Sequence, residues 1–130
     1  MKIVLFATVL AMMLPEAVPE AVPEAVPEAV SVYDQVRHSL DDLGRSDEFP
    51  CAAYIFERES RWNPEAVGDR GWSWGLGQRN TKVWGMAPLP WSIPDQVIWF
   101  TWYADERYGG WCEAMEGWKH NRHVYGWGWW

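Results

Sequence analysis

The sequence predicts an all-α domain, and three observations carry that prediction. Apolar residues recur at three- and four-residue steps in separate stretches between Val32 and Trp118. Glycines and prolines cluster between those stretches. No stretch alternates apolar and polar residues for long enough to make a convincing strand.

The first helix is expected over residues 31–43, where Val32, Val36, Leu40 and Leu43 share a face and Gly44 is a natural stop. A second helix should begin near Pro50, whose fixed φ suits a first turn, behind Ser46 or Asp47 as cap. Cys51, Ala52, Ile55 and Phe56 form its buried face, and Glu59 falls on that same face near the C-terminal end. Asn63-Pro64 ends the helix. Gly68, Gly71, Gly75 and Gly77 make residues 61–79 a loop or short hairpin. Pro88, Pro90 and Pro94 break the chain again, and Ser92 caps a long amphipathic helix over 93–108. Val97, Ile98, Thr101, Trp102 and Asp105 fall along its turns. Gly109-Gly110 separates it from a last helix over 111–121, which carries Cys112, Met115 and Trp118 inward.

Two segments precede this domain. Residues 1–14 read as a secretory signal, with Lys2 for charge, the apolar run Ile3 to Leu14, and a cleavage site at Val9-Leu10-Ala11. That run is too short to span a bilayer, which takes roughly 20 residues; the alternative is an uncleaved N-terminal anchor. Residues 15–30 are Pro-Glu-Ala-Val four times over. A proline in every repeat blocks a regular helix, and one Val per repeat builds no core, so an acidic, semi-extended spacer up to about 50 Å long is expected. It reads either as a tether or as low-complexity drift.

Residues 31–130 then form one domain of net charge −4, against −7 for the whole chain. An acidic domain gains no long-range attraction to nucleic acid or anionic membranes, and neither is an expected partner. Cys51 and Cys112 are the only cysteines. Behind an export signal they read as one disulfide joining two helices, the alternative being two buried thiols. They have no clustered partners for a metal site, and His120 and His123, although spaced i, i+3, lack a third ligand. A solvated helix end is the reading for that pair.

The chemistry concentrates in Glu59-Ser60-Arg61-Trp62-Asn63-Pro64-Glu65-Ala66-Val67 and in Gly71-Trp72-Ser73-Trp74-Gly75-Leu76-Gly77-Gln78. The first block resembles the E-S-x-[FW]-N-P-x-A signature of lysozyme-like lytic transglycosylases. The second resembles their G-x-x-G-L-x-Q motif, with one residue more between Glu and Gln than the commonest spacing. The ending Tyr125-Gly126-Trp127-Gly128-Trp129-Trp130 resembles the ends of phage-associated members. The resemblance implies a lysozyme-like helical domain whose glycine- and tryptophan-rich loop lines a cleft. It also implies an exported, periplasmic, cell-wall or extracellular enzyme, acting as a monomer without a cofactor on the glycan strands of peptidoglycan.

By that resemblance Glu59 is the single catalytic residue, cleaving the MurNAc–GlcNAc β-1,4 bond as acid and then as base. The substrate's own 6-hydroxyl closes a 1,6-anhydroMurNAc product. Glycosidic cleavage needs a carboxylic acid still protonated near neutral pH. Burial and the negative end of a helix both favour that state, with Ile55, Trp62 and Trp74 available as walls. Lysozyme, a relative of the family, tunes its own acid by burial in the same way. The plainer alternative is a surface ion pair of Glu59 with Arg58 or Arg61.

Ser60 and Gln78 match family positions that contact substrate, and Gly75 is expected to keep the backbone close to the sugar. Asn63 forms the turn that fixes Glu59. Ser73 stands where chicken-type lysozymes carry their second carboxylate, and Asp69 is the nearest carboxylate that reaches from the same loop. A hydrolytic muramidase on this fold and a non-catalytic peptidoglycan-binding module are therefore the alternatives. Many family members carry Ala-Tyr-Asn where this chain has Gly117, Trp118 and Lys119, so an indole replaces the phenol that would bond the acid. Tyr103 or Tyr108 is the expected source of that hydroxyl.

All 12 tryptophans lie between positions 62 and 130. Aromatic faces stack on sugars, and Trp62, Trp72 and Trp74 flank the motifs, so they are expected in the groove. Trp99, Trp102, Trp111 and Trp118 fall on helices and read as core. Trp84 and Trp91 fit either role, while Trp127, Trp129 and Trp130 are expected at an exposed end.

Overall fold

Two of the long helices start at caps written into the chain. In this computed structural model, which describes residues 29–130, Ser31 accepts the Asp34 N–H at the start of α1 (Val32–Asp42). Ser92 does the same for Asp95 at the start of α4 (Ile93–Tyr108). Gly44 and Gly109 follow these helices at φ 71° and 93°, a left-handed conformation that glycine adopts without strain. The signal and residues 15–28 of the spacer lie outside the described residues.

α2 (Phe49–Ser60) begins one residue before Pro50, and its expected caps are absent. Ser46 and Asp47 instead belong to a 3-10 turn, Ser46–Glu48, and the preceding Glu48 makes no side-chain cap bond. α5 (Trp111–Tyr125) runs past the expected end to a left-handed Gly126. The short α3 (Thr81–Trp84) is capped by Asn80, whose side chain accepts the Lys82 N–H. Four residues are too few to show helical periodicity in sequence.

Between α2 and α3 the glycine-rich stretch forms a small antiparallel sheet of β1 (Val67–Gly68), β2 (Ser73–Trp74) and β3 (Arg79–Asn80), in that order. Val67 pairs with Trp74, and Trp74 with Arg79. The fold is therefore mainly α with a three-stranded sheet, not purely α. Two-residue strands cannot display the alternation by which strands are recognised.

α1 packs on α4, α2 on α5, and α4 on α5. Val36, Leu40, Ile55, Phe56, Phe100 and Trp111 meet in the core, each no more than 1% exposed. On α4 the buried face is Gln96, Val97, Phe100, Thr101, Tyr103 and Ala104. Ile98 and Trp102 turn out to solvent, at 52% and 44% exposed, so they do not share the core face as their spacing suggested. Asp105 instead accepts both terminal nitrogens of Arg45, at 2.9 and 2.7 Å. Arg45 also pairs with Glu48, whose other oxygen accepts the Trp111 N–H. This network joins the α1–α2 turn to α4 and to the start of α5, and it holds the Asp105 carboxyl below its usual range.

The Cys51–Cys112 disulfide pins the first turn of α2 to the first turn of α5. In the chain-entropy account a loop of this length contributes roughly 4 kcal/mol. The expectation of an exposed aromatic end holds for Trp127 but not for Trp130. The segment after α5 turns back, and Trp130 packs on Phe100, Tyr103 and Trp111 while its Nε1 donates to the Gly77 carbonyl at 2.9 Å. Gly77 is glycine for this reason: a Cβ there would lie 2.6 Å from Phe100 and 2.8 Å from Trp130. Among the described residues no helix is long and apolar enough to cross a membrane.

Candidate active site

Glu59 occupies the last turn of α2. Arg61 and Trp62 both take left-handed backbone conformations, φ 51° and 64°, which ends the helix at once. Asn63 then accepts the Glu65 N–H through its side chain at 2.9 Å, forming the expected turn. Glu59 has no ion pair among the described residues. Arg58 lies 3.3 Å over the Tyr54 ring and donates to the Tyr54 carbonyl, so it is committed elsewhere.

Among the described residues the side-chain hydrogen-bond partner of the acid is Trp118, whose Nε1 donates to Glu59 Oε1 at 2.8 Å. Neither Tyr103 nor Tyr108 supplies the hydroxyl expected of them. Tyr103 donates to the main-chain oxygen of Trp130 at 3.1 Å and accepts from Arg107 at 2.6 Å. The Tyr108 ring packs on Gly117. The hydrogen bond to the acid comes instead from the indole N–H of Trp118. Trp118 is itself held edge-on to Tyr54 at 5.6 Å and against Gly128.

Burial pushes the Glu59 carboxyl up to about 7, and the negative charge of Asp69 acts in the same direction. The Trp118 hydrogen bond opposes them by favouring the carboxylate. Burial prevails because one N–H cannot replace the water removed from both oxygens. The result is a carboxylic acid that is substantially protonated near neutral pH, at the negative end of a helix.

Asp69 sits at φ 50° and Arg70 at φ 58°, two consecutive left-handed residues that L side chains rarely adopt. This kink folds the turn before β2 back on itself, so that Ser73 Oγ donates to Asp69 Oδ2. Ser73 is 3% exposed. Ser73 therefore holds a carboxylate from its own loop, and Glu59 feels that charge.

The remaining motif residues are mostly structural. Ser60 is buried and donates to the Phe56 carbonyl at 3.0 Å, which turns it into its own helix, away from the substrate contact expected of it. Trp62 has Tyr33, Phe49 and Phe56 as ring neighbours, so it packs against α1 and α2. Gly75, at φ 83°, leaves space for Gln96 and Trp91: a Cβ would lie 2.7 Å from Gln96 and 2.8 Å from Trp91. Gln78 closes the loop by donating to the Ala66 and Gly75 carbonyls at 3.2 and 3.0 Å. Trp72 is 46% exposed beside the Lys82 ammonium, and Trp74 is half-buried with its Nε1 on the Gly71 carbonyl. These two are free to meet a ligand.

Gln96 is the residue that the sequence motifs did not single out. It is fully buried; its Oε1 accepts the Leu76 N–H at 2.8 Å, and its Nε2 donates to the Pro64 and Trp91 carbonyls at 2.8 and 3.1 Å. One amide thereby ties the Asn-Pro turn to the Gly-Leu loop. An uncharged polar side chain on the apolar face of α4, next to Val97, was the available signal.

A surface groove of about 1060 Å³ runs beside α1 past Tyr33 and Phe49, and no residue of either motif block lines it. A second pocket of about 220 Å³ includes Gln78 and Tyr103. His120 and His123 are exposed, and among the described residues no group of His, Cys, Asp or Glu is arranged to hold a metal ion. No protein-family model, curated protein or solved structure matches this chain.

Proposed function

We propose that this chain is an exported peptidoglycan lytic transglycosylase, with Glu59 as its acid and then its base. The observation that carries the reading is the Glu59 carboxyl, raised to about 7 by burial and oriented by the Trp118 N–H. Such a group gives its proton to the glycosidic oxygen as the C1–O bond breaks. The carboxylate left behind takes the proton of the 6-hydroxyl as that oxygen bonds to C1. Glu59 ends protonated, the sugar ends as a 1,6-anhydro ring, and no cofactor is consumed. The order and spacing of the two motif blocks support the same reading.

A second reading, hydrolysis by a muramidase, is favoured by the Ser73–Asp69 hydrogen bond. A second carboxylate near the acid can stabilise the positive sugar or direct water to it. Mass spectrometry of muropeptides released by the full chain separates the readings. Anhydro-muramoyl products, absent with Glu59→Gln and retained with Asp69→Asn, are the expected result. Reducing-end products lost in both variants would replace the transglycosylase with a hydrolase. Binding to sacculi without release would leave a non-catalytic module.

A further inference from the structure

The pocket of about 220 Å³ is bounded by Gln78, Arg79 of β3, Trp84 of α3, and Trp99, Tyr103 and Arg107 of α4. It shares Gln78 with the motif loop, and the Tyr103 hydroxyl feels the charge of Glu59, so pocket and acid belong to one neighbourhood. Its volume is below the roughly 300–1,000 Å³ of sites that enclose a whole ligand, which suits one residue of a longer chain.

Two guanidinium groups set its character. Arg79 donates Nε to the Gly85 carbonyl at 3.0 Å and a terminal nitrogen to the Trp84 carbonyl at 2.8 Å, and it lies 4.6 Å over the Trp99 ring. These bonds fix its plane and leave other N–H donors of its five unused. Burial lowers the pKa of Arg79, the mark of a cation stripped of water. Arg107 donates one terminal nitrogen to Tyr103, whose own proton is committed to the main-chain oxygen of Trp130, so the contact holds the guanidinium in place. Neither arginine has an ion pair among the described residues, although residues 31–130 carry 14 carboxylates. Beside them Trp99 and Tyr103 stack at 17° and Trp84 stands edge-on to both, with 42% of Trp84 exposed. Oriented cations next to aromatic faces match a sugar that bears a carboxylate.

We infer that this pocket is a subsite for a carboxylate-bearing residue of the glycan strand, with Arg107 and the free edge of Arg79 binding the carboxylate and Trp84 offering a face to the ring. The inference rests on the peptidoglycan reading above and adds how an acidic domain recognises an acidic polymer. In that polymer the carboxylate belongs either to the lactyl ether of a muramoyl residue or to the peptide attached to it.

The test is calorimetric binding by the full chain carrying Glu59→Gln, so that ligands are not consumed. Three ligands are compared: a neutral N-acetylglucosamine oligomer, a muramoyl oligosaccharide with free lactyl carboxylates, and one whose lactyl groups are amidated by stem peptides. At low salt an acidic ligand should bind about tenfold tighter than the neutral one, the effect of a charge-assisted contact. Arg107→Gln should remove that preference and leave the neutral oligomer unaffected, while Arg107→Lys should retain part of it. Should Arg107→Gln fail to fold, the preference must still collapse at roughly 1 M salt in the chain with Arg107 intact. Preference for the free-lactyl ligand assigns the carboxylate to the sugar; preference for the stemmed ligand alone assigns it to the peptide. Equal binding of all three, binding of none, or a preference that survives both Arg107→Gln and high salt would overturn the subsite. Cleavage of sacculi by the unmutated chain is read separately. Cleavage without the preference removes the subsite alone, and the preference without cleavage removes the enzymatic reading alone.

Discussion

The indole Nε1 of Trp118 donates to Glu59 Oε1 at 2.8 Å, joining the last turn of α2 to the middle of α5. Two opposed effects meet at this bond. Burial favours the neutral acid, and the N–H favours its anion. The indole therefore orients the acid while moderating how strongly burial raises its pKa.

Trp118→Phe removes the moderating effect and keeps an aromatic ring. The Glu59 carboxyl should then titrate higher than its present value of about 7. Because the reaction needs the protonated acid, the alkaline limb of kcat/KM should move to higher pH, with a lower maximum from lost orientation. Trp118→Tyr restores a donor and should return the limb toward its original position. A limb that stays put in Trp118→Phe would show that the hydrogen bond has no part in tuning the acid.

Glu59 also makes stability depend on pH. Its carboxyl rises from 4.5 to about 7 on folding, so its favourable contribution is complete below pH 4.5 and is lost as pH climbs through about 7. The difference corresponds to roughly 3 kcal/mol. Glu59→Gln, which does not titrate, should be more stable than the parent above pH 7 by up to about that amount, and little different below 4.5. Thermal melts across this range read the effect. A difference that is constant with pH would remove burial as the cause. The same substitution should cut glycan cleavage by about 10²–10⁴-fold.

How much of this was legible in sequence depends on the range of the interactions. α4 is bounded by a local cap at Ser92 and a local break at Gly109, and both its ends could be read directly. The place of Glu59 in the last turn of α2 was legible because the apolar spacing before it and the Asn63-Pro64 stop after it are local. The roles of Ser60, Trp62 and Gly75 were not, because their partners Phe56, Tyr33 and Gln96 are set by helix geometry or by tertiary packing. Trp130 was misjudged for the same reason: its site is formed by Gly77, Phe100 and Trp111, which meet only in the folded chain.

Gln96 carries the tertiary link between the two motif blocks. Gln96→Leu keeps the volume but leaves the buried Leu76 N–H without its acceptor and two carbonyls without their donor. A loss of about 3 kcal/mol is expected, since each unsatisfied buried group costs roughly 1–3 kcal/mol and relaxation recovers part. Gln96→Glu preserves the acceptor for Leu76 and sets a carboxylate against the Pro64 and Trp91 carbonyls, so it should be destabilised most at high pH. Chemical denaturation of the two variants at acid and alkaline pH checks this; equal stability at both would show that the amide's donor side is unimportant.

Gly128 connects the segment after α5 to the acid through Trp118. A Cβ at Gly128 would collide with the indole, so Gly128→Ala must displace either that segment or Trp118. Movement of the segment would strain Trp130, whose Nε1 holds the Gly77 carbonyl and whose ring lies 5.2 Å from Trp111. Movement of the indole would lengthen its bond to Glu59 and shift the alkaline limb upward, as is expected of Trp118→Phe. Overpacking of this kind costs about 1–3 kcal/mol. The smaller phenyl ring of Trp118→Phe makes room for the added methyl, so the two substitutions should be strongly non-additive in stability and in the position of the limb. Strict additivity in a double-mutant cycle would mean that the segment yields independently of Trp118. The tail would then stabilise the domain without any hold on the acid.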